Sequence, residues 1–375
     1  MVGMIKVLSI FGTRPEAIKM APVIQELQKY PELIDSKICV TAQHRQMLDQ
    51  VLGIFNLVPD VDLDLMQSNQ SLTELTARAL SGLSKVIADI GPDVVLVQGD
   101  TTTVLAGSLA AFYQQIPVGH VEAGLRTYDR YNPFPEEINR RLTDGLSTFY
   151  FAPTATAQTA LLNEGIPLEQ IYLTGNPVID ALKQTLQKEP PGEVTDLLKN
   201  IGDNRILLFT AHRRENFGVP LTNFCQAIQE IVRKYRDVSV IYPVHLNPNV
   251  RDVVFEQLGG QDRIHLIEPL PYISFVHLMK ASYLILTDSG GIQEEAPALG
   301  TPVLVLRNVT ERPEAVDSGT VKVIGTDTAS IVMETGHLLE DQNVYQKMAT
   351  GVSPYGDGYA AERIVNVLLD YFNGS

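Results

Sequence analysis

Three carboxylates stand where a sheet protein presents side chains to a ligand. Asp100 and Glu122 each follow an apolar strand, and Glu136 begins a helix. Carboxyl groups that lie close together push their pKa values apart, which is how one site obtains both an acid and a base. Glu137 points about 100° away from Glu136 on a helix, so only one of the two is expected to face the site. The pattern predicts proton transfer, although Asp100 as a helix cap and Glu136 as a helix-dipole partner are simpler interpretations.

A second segment has the features of a phosphate site. Ser289, Gly290 and Gly291 follow an apolar strand and open a helix. Ser289 can cap that helix, and the glycines allow a ligand to approach the main-chain N–H groups, where the helix dipole favours a negative charge. Glu295, one turn further, could accept hydrogen bonds from ribose hydroxyls. The alternative interpretation is a simple capped turn between a strand and a helix.

Basic side chains follow the first strand of each half of the chain. Arg14 and Lys19 lie near the start of a helix, where cations oppose the dipole, which suggests that they hold a pyrophosphate. A solvated surface pair explains them equally well. His212 lies at the strand end that opens the second half and precedes Arg213 and Arg214, so we predict a functional role for it.

Composition and missing signatures limit the other possibilities. The chain has 375 residues, 29 Lys+Arg and 44 Asp+Glu, and a formal net charge of −15 at pH 7. Apolar residues at 45% argue against disorder, and no basic footprint supports nucleic-acid binding. The sequence lacks the G-x-G-x-x-G, P-loop, H-E-x-x-H and G-x-S-x-G motifs, which argues against hydride transfer, P-loop phosphoryl transfer and serine hydrolysis. A small anion is still an acceptable ligand, because a few local arginines can bind a phosphate.

Cysteine usage and hydropathy indicate a cytoplasmic protein. Cys39 and Cys225 are far apart and are expected to be buried hydrophobes in a reduced compartment. No stretch approaches the ~20 apolar residues of a membrane span. Met4–Phe11 is too short for a signal peptide and is better explained as a buried strand. The other histidines show no metal-ligand spacing.

The elements that must position these residues alternate regularly. Apolar runs such as Ile5–Phe11 and Val303–Leu306 are separated by helical patterns such as Leu72–Ile90 and Thr102–Tyr113. Runs that are apolar on both faces suit strands covered by helices on both sides. The pattern therefore predicts an α/β protein with doubly wound parallel sheets.

A polar, Pro- and Gly-containing stretch, Gln187–Glu193, has the composition of a linker near the middle of the chain. We therefore predict two Rossmann-like domains. The first comprises residues 1–175 and a C-terminal helix, residues 360–375, that packs back onto it. The second comprises residues 176–359. Because ligands bind beyond the carboxyl ends of parallel strands, the functional loops are expected to face one cleft between the domains.

Nine motifs run in order from about Ile5 to Tyr371: FGTRPEAIKMAP, TAQHRQMLDQVL, GDTTT, GHVEAGLRT, PEEINR, HRREN, PVHLNPNV, TDSGGIQEEAP and ERPEA. In this order they closely resemble the non-hydrolysing UDP-N-acetylglucosamine 2-epimerases of bacteria. The resemblance implies a glycosyltransferase-B-type fold, in which two Rossmann-like domains face a cleft.

The resemblance also implies roles for individual residues. The catalytic residues would be Asp100, Glu122, Glu136 and His212. The nucleotide site would use Arg14, His212, Phe275, Ser289, Gly290, Gly291, Glu295 and Arg312, with Lys19 near the phosphates or the sugar. Many relatives have His-Gly-Asp where this chain has Gln98-Gly99-Asp100, so an imidazole is not available at that position.

The implied reaction is the reversible conversion of UDP-N-acetylglucosamine (UDP-GlcNAc) to UDP-N-acetylmannosamine (UDP-ManNAc), for the synthesis of cell-surface polysaccharide precursors. UDP leaves, a carboxylate removes the C2 proton to give a 2-acetamidoglucal, and re-addition of UDP follows. Such a reaction requires no redox cofactor or metal. The alternatives are a hydrolysing 2-epimerase that releases N-acetylmannosamine and UDP, a UDP-sugar glycosyltransferase, and a non-catalytic nucleotide-sugar sensor, which would not need several carboxylates.

Bacterial relatives bind a second substrate molecule as an activator beside the active site. The matching positions here are Gln43, Gln46, Gln70, Arg213 and His245, whereas Asn69 stands where some relatives carry arginine. These residues could equally be ordinary hydrogen-bonding side chains. The family also suggests a homodimer.

Overall fold

The computed structural model describes residues 4–42, 45–65 and 70–374, with the backbone alone for residues 45–47. The chain divides into two units, residues 1–183 with 355–375, and residues 184–354. The sequence prediction set these boundaries after residue 175 and before residue 360. The predicted linker falls mostly between two helices that end at Leu186 and begin at Gly192.

The first unit is a parallel sheet with helices between its strands. Its elements are β1 (Ile5–Phe11), α1 (Arg14–Leu27), β2 (Ile34–Val40), α2 (Arg45–Phe55), β3 (Val61–Asp62), α3 (Leu72–Ile90), β4 (Val94–Gln98), α4 (Thr102–Tyr113), β5 (Val118–Val121), α5 (Glu136–Leu146), β6 (Phe149–Ala152), α6 (Ala155–Asn163), β7 (Ile171–Leu173) and α7 (Pro177–Leu186). The described strands lie in the order β3-β2-β1-β4-β5-β6-β7, and neighbouring strands are parallel.

The second unit repeats this plan. It contains α8 (Gly192–Ile201), β8 (Arg205–Thr210), α9 (Val219–Lys234), β9 (Val238–Pro243), α10 (Pro248–Leu258), β10 (Ile264–Ile267), α11 (Tyr272–Ala281), β11 (Leu284–Thr287), α12 (Gly290–Ala298), β12 (Val303–Val305), α13 (Pro313–Asp317), β13 (Val321–Val323), α14 (Thr328–Glu340) and α15 (Gln342–Ala349). Its parallel strands lie in the order β10-β9-β8-β11-β12-β13. The last helix, α16 (Ala360–Asn373), belongs to the first unit and packs against α1.

Local sequence explains these elements. The residues of β4 and β5 are all buried, as expected for strands covered on both faces. Helix α3 begins at a capping box of Ser71 and Glu74 and ends at Gly91, whose φ of 58° suits glycine. The predicted α/β class with doubly wound sheets is confirmed. No helix among the described residues is long and apolar enough to span a membrane.

The two cysteines lie in separate hydrophobic cores. Cys39 packs in the first unit with β1 and β4 residues, and Cys225 packs in the second unit against β8. Burial raises the pKa of each thiol to about 12. Both side chains therefore behave as small hydrophobes, as the sequence predicted.

Candidate functional site

Each sheet reverses its strand order at one point, between β1 and β4 in the first unit and between β8 and β11 in the second. Ligands of open parallel sheets bind beyond the carboxyl ends of the strands at such a point. Arg14 and Asp100 follow β1 and β4, and His212 and Ser289 follow β8 and β11. The sequence therefore predicted functional residues after all four of these strands.

The turn from β1 into α1 is closely packed. A Cβ atom at Gly12 would lie 2.1 Å from Thr41 Oγ1 and 2.7 Å from Thr103 Oγ1, so only glycine fits there. The Glu16 carboxylate accepts hydrogen bonds from the main-chain N–H groups of Gly12 (2.6 Å) and Thr13 (2.9 Å). Burial raises the pKa of Glu16. These contacts fix the start of α1.

The two predicted cations of α1 have different surroundings. Arg14 is the first residue of the helix, and its guanidinium has no carboxylate partner in the described part of the chain. The Lys19 ammonium lies 2.5 Å from Glu122 Oε1, and its side chain is 13% exposed. Lys19 therefore belongs with the carboxylates, whereas the Arg14 side chain is available to an anion.

Glu122 is held in an unusual conformation. Its φ is 72°, a left-handed value that is rare for a residue with a side chain. The main-chain N–H groups of Glu122 and Ala123 both donate to Phe151 O, at 3.0 and 3.2 Å, which stabilises the turn. Such strain at the end of a strand is typical of functional positions.

Three donors surround the Glu122 carboxylate. Lys19 Nζ and Asn176 Nδ2 donate to Oε1 at 2.5 and 2.8 Å, and Gln98 Nε2 donates to Oε2 at 2.5 Å. The side chain is 6% exposed. Hydrogen bonds from an ammonium and two amides thus hold both oxygens of this buried side chain in place.

Asp100 and Glu136 form the second part of the acidic group. Arg140 donates to Asp100 Oδ2 at 2.7 Å, and Asn139 Nδ2 donates to Asp100 O at 2.9 Å. Desolvation raises the pKa of Glu136, and the negative charge of Asp100 raises it further. The N-cap of α4 is Thr101, which accepts from Val104 N, so the interpretation of Asp100 as a helix cap is wrong.

Glu137 has a structural role. Its side chain is fully buried and accepts hydrogen bonds from the main-chain N–H groups of Thr127 (3.0 Å) and Tyr128 (3.1 Å). Arg140 lies 3.5 Å from the same carboxylate. Glu137 thus fixes the loop before α5, whereas Glu136 interacts with Asp100, as the 100° separation on a helix predicted.

Sequence reasoning missed the side chains that support these carboxylates, namely Gln98, Asn176, Arg140, His120 and Asp144. Asn176 follows β7, which has only three residues and no clear apolar pattern. Arg140 is one turn from Glu136 on α5, and this i, i+4 spacing is a signal that could have identified it. At Gln98 the sequence indicates only that the histidine of many relatives is absent, not that the amide contacts Glu122.

In the second unit, Asp288 organises the loop that contains His212. Its carboxylate is buried and accepts hydrogen bonds from His212 N (3.0 Å), Arg213 N (2.9 Å) and Asn216 Nδ2 (2.9 Å). The His212 ring lies with Nδ1 3.3 Å from Asp288 Oδ1. This contact orients the imidazole ring. Asp288 directly follows β11, so its position was a usable signal.

The start of α12 offers main-chain donors to an anion. Ser289 occupies the N-cap position but its side chain makes no capping hydrogen bond, so the expectation that it caps the helix is wrong. Gly290 is half-buried and Gly291 is exposed. The first N–H groups of α12 are therefore not capped by Ser289, and the helix dipole adds a positive potential.

The remaining predicted nucleotide residues lie on neighbouring elements of the same unit. Tyr272 donates to Glu295 Oε2 at 3.0 Å, and Phe275, three residues later on α11, is half-buried. Arg312 Nε donates to the buried Glu294 carboxylate at 2.5 Å. Helix α12 thus contacts Arg312 through Glu294 and Tyr272 of α11 through Glu295.

The five predicted activator residues are only partly described. Gln43 and the Gln46 side chain lie outside the described residues. Gln70 accepts from Arg78 at 3.4 Å in the first unit. Arg213 lies 3.4 Å from Glu311, and the His245 ring stacks on His212 with centroids 6.0 Å apart. The structure thus brings Arg213 and His245 to the His212 loop. Across residues 4–42, 45–65 and 70–374, no group of His, Cys, Asp and Glu could hold a metal ion.

Comparison with known proteins gives one consistent answer. The profile of the UDP-N-acetylglucosamine 2-epimerase family matches residues 25–369. The UDP-N-acetylglucosamine 2-epimerase of Bacillus subtilis (strain 168) is 54% identical over 368 residues, which cover 98% of this chain and 96% of that protein.

Two solved structures extend the comparison. The Neisseria meningitidis UDP-GlcNAc 2-epimerase bound to UDP-GlcNAc is 53% identical with a TM-score of 0.89, covering 98% of this chain and all of that one. The Methanocaldococcus jannaschii enzyme in complex with UDP-GlcNAc and UDP is 38% identical with a TM-score of 0.81, covering 97% and 99%. The chain belongs to the UDP-N-acetylglucosamine 2-epimerase family.

Proposed function

We propose that this protein interconverts UDP-GlcNAc and UDP-ManNAc by eliminating UDP to a 2-acetamidoglucal and adding it back. The observation that carries the proposal is the group of three carboxylates in different environments at one end of the first sheet. Glu122 is bound by three donors, Asp100 is paired with Arg140, and Glu136 has a raised pKa. A binding protein for an anionic nucleotide sugar would gain nothing from these negative charges.

The reaction requires one group that stabilises positive charge at C1 and others that transfer the C2 proton. The C2 proton of the sugar is not acidic until UDP begins to leave and C1 acquires positive charge. The Glu122 side chain, held by Lys19 at 2.5 Å, would stabilise that charge without reorganisation during the reaction. Lys19 would thus act on the sugar side of the site.

Asp100 and Glu136 would transfer the protons. Asp100, oriented by Arg140 at 2.7 Å, would be the base that removes the C2 proton. Glu136, with its raised pKa, suits the acid that returns a proton to the other face of the glycal. Proton transfer of this kind contributes roughly 10²–10⁴-fold to the rate.

The second unit would bind the nucleotide. The pyrophosphate would accept hydrogen bonds from the N-terminal N–H groups of α12, including Gly290 and Gly291, and from His212. Arg312, held by Glu294, would supply positive charge. Glu295 would receive the ribose hydroxyls, and Phe275 would pack against the base or sugar. No metal or redox cofactor enters the reaction, since elimination and addition are balanced without one.

We further propose a cytoplasmic homodimer that uses a second UDP-GlcNAc molecule as an activator. The support is family membership and the placement of Arg213 and His245 beside His212. Gln43, Gln46 and Gln70 would complete the activator site. Equilibrium sedimentation tests the dimer, and a sigmoidal rate dependence on UDP-GlcNAc tests the activation.

Incubation with UDP-GlcNAc alone in D2O, followed by NMR, tests the reaction. Epimerisation predicts UDP-ManNAc with deuterium at C2. Free N-acetylmannosamine and UDP would instead identify a hydrolysing enzyme. Turnover only after addition of an acceptor sugar would identify a glycosyltransferase, and unchanged substrate at saturating concentration would overturn the proposal.

A further inference from the structure

We propose that Asn176 is a positioning residue for Glu122, and that the segment Tyr355–Gly358, where the chain returns to the first unit, holds Asn176 in place. The inference rests on the proposed function only in that Glu122 acts in catalysis. It concerns residues of the first unit alone.

Both ends of the Asn176 amide are used. Nδ2 donates to Glu122 Oε1 at 2.8 Å, and Oδ1 accepts from Val178 N at 3.1 Å. A carboxylate can only accept and a main-chain N–H can only donate, so this orientation of the amide is fixed. Asn176 is 1% exposed, and the bond to Glu122 is therefore shielded from water.

Asn176 does something that Lys19 cannot do alone. Both residues donate to Glu122 Oε1, but the lysine reaches it on a flexible four-carbon chain. Asn176 has a short side chain that is rooted at the start of α7. Its neutral amide adds no charge, so its contribution is to fix the orientation of the carboxylate plane.

The returning segment contacts this residue directly. The main-chain N–H of Asn176 donates to Tyr355 O at 2.7 Å. A Cβ atom added to Gly356 would lie 3.2 Å from the Gly175 Cα and 3.6 Å from Asn176 N, and Gly356 has a φ of 115°. The backbone of the segment therefore lies against the backbone of Asn176, whose side chain donates to Glu122.

The same segment is anchored just beyond this contact. Asp180, one turn after Asn176 on α7, accepts hydrogen bonds from the main-chain N–H groups of Ala360 (3.2 Å) and Ala361 (2.9 Å) at the start of α16. Lys183 also donates to Asp357 O. Asn176 and α7 are thus hydrogen-bonded both to the segment and to the start of α16, so a shift of Gly356 reaches Glu122 through Asn176.

The first test changes the amide itself. In Asn176→Asp, a carboxylate faces Glu122, and two carboxylates in contact cannot both be ionised. We expect kcat to fall by about 100-fold or more while KM for UDP-GlcNAc changes little, because a small misplacement of a catalytic group costs rate rather than binding. Asn223→Asp is the control, since the half-buried Asn223 also donates a hydrogen bond from Nδ2, to Thr326 O in the second unit. It should leave kcat unchanged even if the melting temperature falls.

A measurement that does not depend on catalysis, the NMR signal of the Glu122 carboxyl carbon, accompanies this test. Carbon-13 NMR of labelled glutamate carboxyl groups, with the Glu122 signal assigned by Glu122→Gln, reports the surroundings of the Glu122 carboxyl group directly. In Asn176→Asp this signal should move, whereas in Asn223→Asp it should stay in place. The other charged residues near Glu122 are Lys19, which contacts it, and Asp100, whose neighbour Gly99 lies beside Glu122 Oε2. Both are the same in the variant, so a change in the Glu122 signal is due to position 176. If Asn176→Asp does not fold, Asn176→Ala removes the bond without adding charge and carries the kinetic test.

The second test acts from the segment. Gly356→Ala should lower kcat by at least tenfold, whereas Gly165→Ala, at an exposed turn of the same unit, should not, although both glycines have positive φ. A Cβ atom at Gly165 would have no other atom within 4 Å. Equal effects of the two alanines on kcat would overturn the role of the segment. Near-normal kcat with an unmoved Glu122 signal in Asn176→Asp would overturn the whole inference.

An unmodified protein that is inactive on UDP-GlcNAc would instead contradict the proposed function. The NMR result would still decide the contact between Asn176 and Glu122.

Discussion

His120 Nδ1 lies 2.6 Å from Asp144 Oδ1, and both side chains are buried beneath the acidic group of the first unit. The other ring nitrogen, Nε2, lies 2.7 Å from Gly99 O, the carbonyl just before Asp100. A carbonyl can only accept, so Nε2 donates to it. Burial raises the pKa of Asp144, but His120 and Arg126 lower it more, and Asp144 is an ionised acceptor. The pair thereby fixes the loop that presents Asp100.

Replacement of His120 should therefore damage stability and catalysis together. His120→Phe removes a hydrogen-bond partner of the Asp144 carboxylate and leaves Gly99 O without its donor. A buried polar group that loses its hydrogen-bond partner costs about 1–3 kcal/mol. Urea unfolding at pH 7 measures this loss, and His337→Phe, at an exposed position, is the control. A change below about 0.5 kcal/mol in His120→Phe would contradict the structural role.

Glu136→Gln should separate catalysis from binding. The amide keeps the shape of the side chain but cannot exchange a proton, so kcat should fall by roughly 10²–10⁴-fold. Affinity for UDP, measured by calorimetry, should be unchanged, because the nucleotide residues lie elsewhere. Since Glu136 has a raised pKa and is proposed to act as the acid, the rate of the unmodified protein should fall as pH rises through that value. Exposed Glu169→Gln serves as the control, and a Glu136→Gln variant with near-normal kcat would refute the assignment.

Gln98 gives a test of the position where many relatives carry histidine. Its Nε2 donates to Glu122 Oε2 at 2.5 Å, and a histidine ring nitrogen can also donate. Gln98→His should therefore keep kcat within about tenfold, whereas Gln98→Leu should lose at least 100-fold because the carboxylate oxygen is left unbound. Initial rates at saturating UDP-GlcNAc decide between them. Equal losses in the two variants would show that hydrogen bonding at this position is not what matters.

Glu311 should contribute to stability in a defined pH range. Its burial raises the pKa, but Arg307 and Arg213 outweigh this and lower it to about 2. The ordinary value is 4.5, so the stability that Glu311 provides is present above pH 4.5 and is lost as pH falls towards 2. Glu311→Gln should lower the free energy of unfolding at pH 7 by roughly 2–3 kcal/mol.

The difference between Glu311→Gln and the unmodified protein should shrink as pH falls below 4.5, as urea unfolding at several pH values would show. Glu268→Gln, which removes an exposed ion pair with Arg251, should cost less than about 1 kcal/mol at any pH. A Glu311 effect that does not depend on pH would mean that lost packing, not charge, is responsible.

The sequence by itself determined the fold class and the strand ends that carry the chemistry. Buried strands such as Val94–Gln98 are apolar on both faces, and that pattern depends only on neighbouring residues. Arg14, Asp100, His212 and Ser289 could be recognised because each follows such a strand. The ordered motifs identified the family before any geometry was known.

Only the tertiary structure decided how the carboxylates differ. Glu122 and Asn176 are 54 residues apart, and Asp100 and Arg140 are 40 apart, so no local pattern reveals either contact. The pKa of a carboxyl group depends on its burial and on the donors within hydrogen-bonding reach, which the folded sheet brings together. The functional roles of chemically identical side chains are therefore set by packing, whereas their positions along the chain are set by secondary structure.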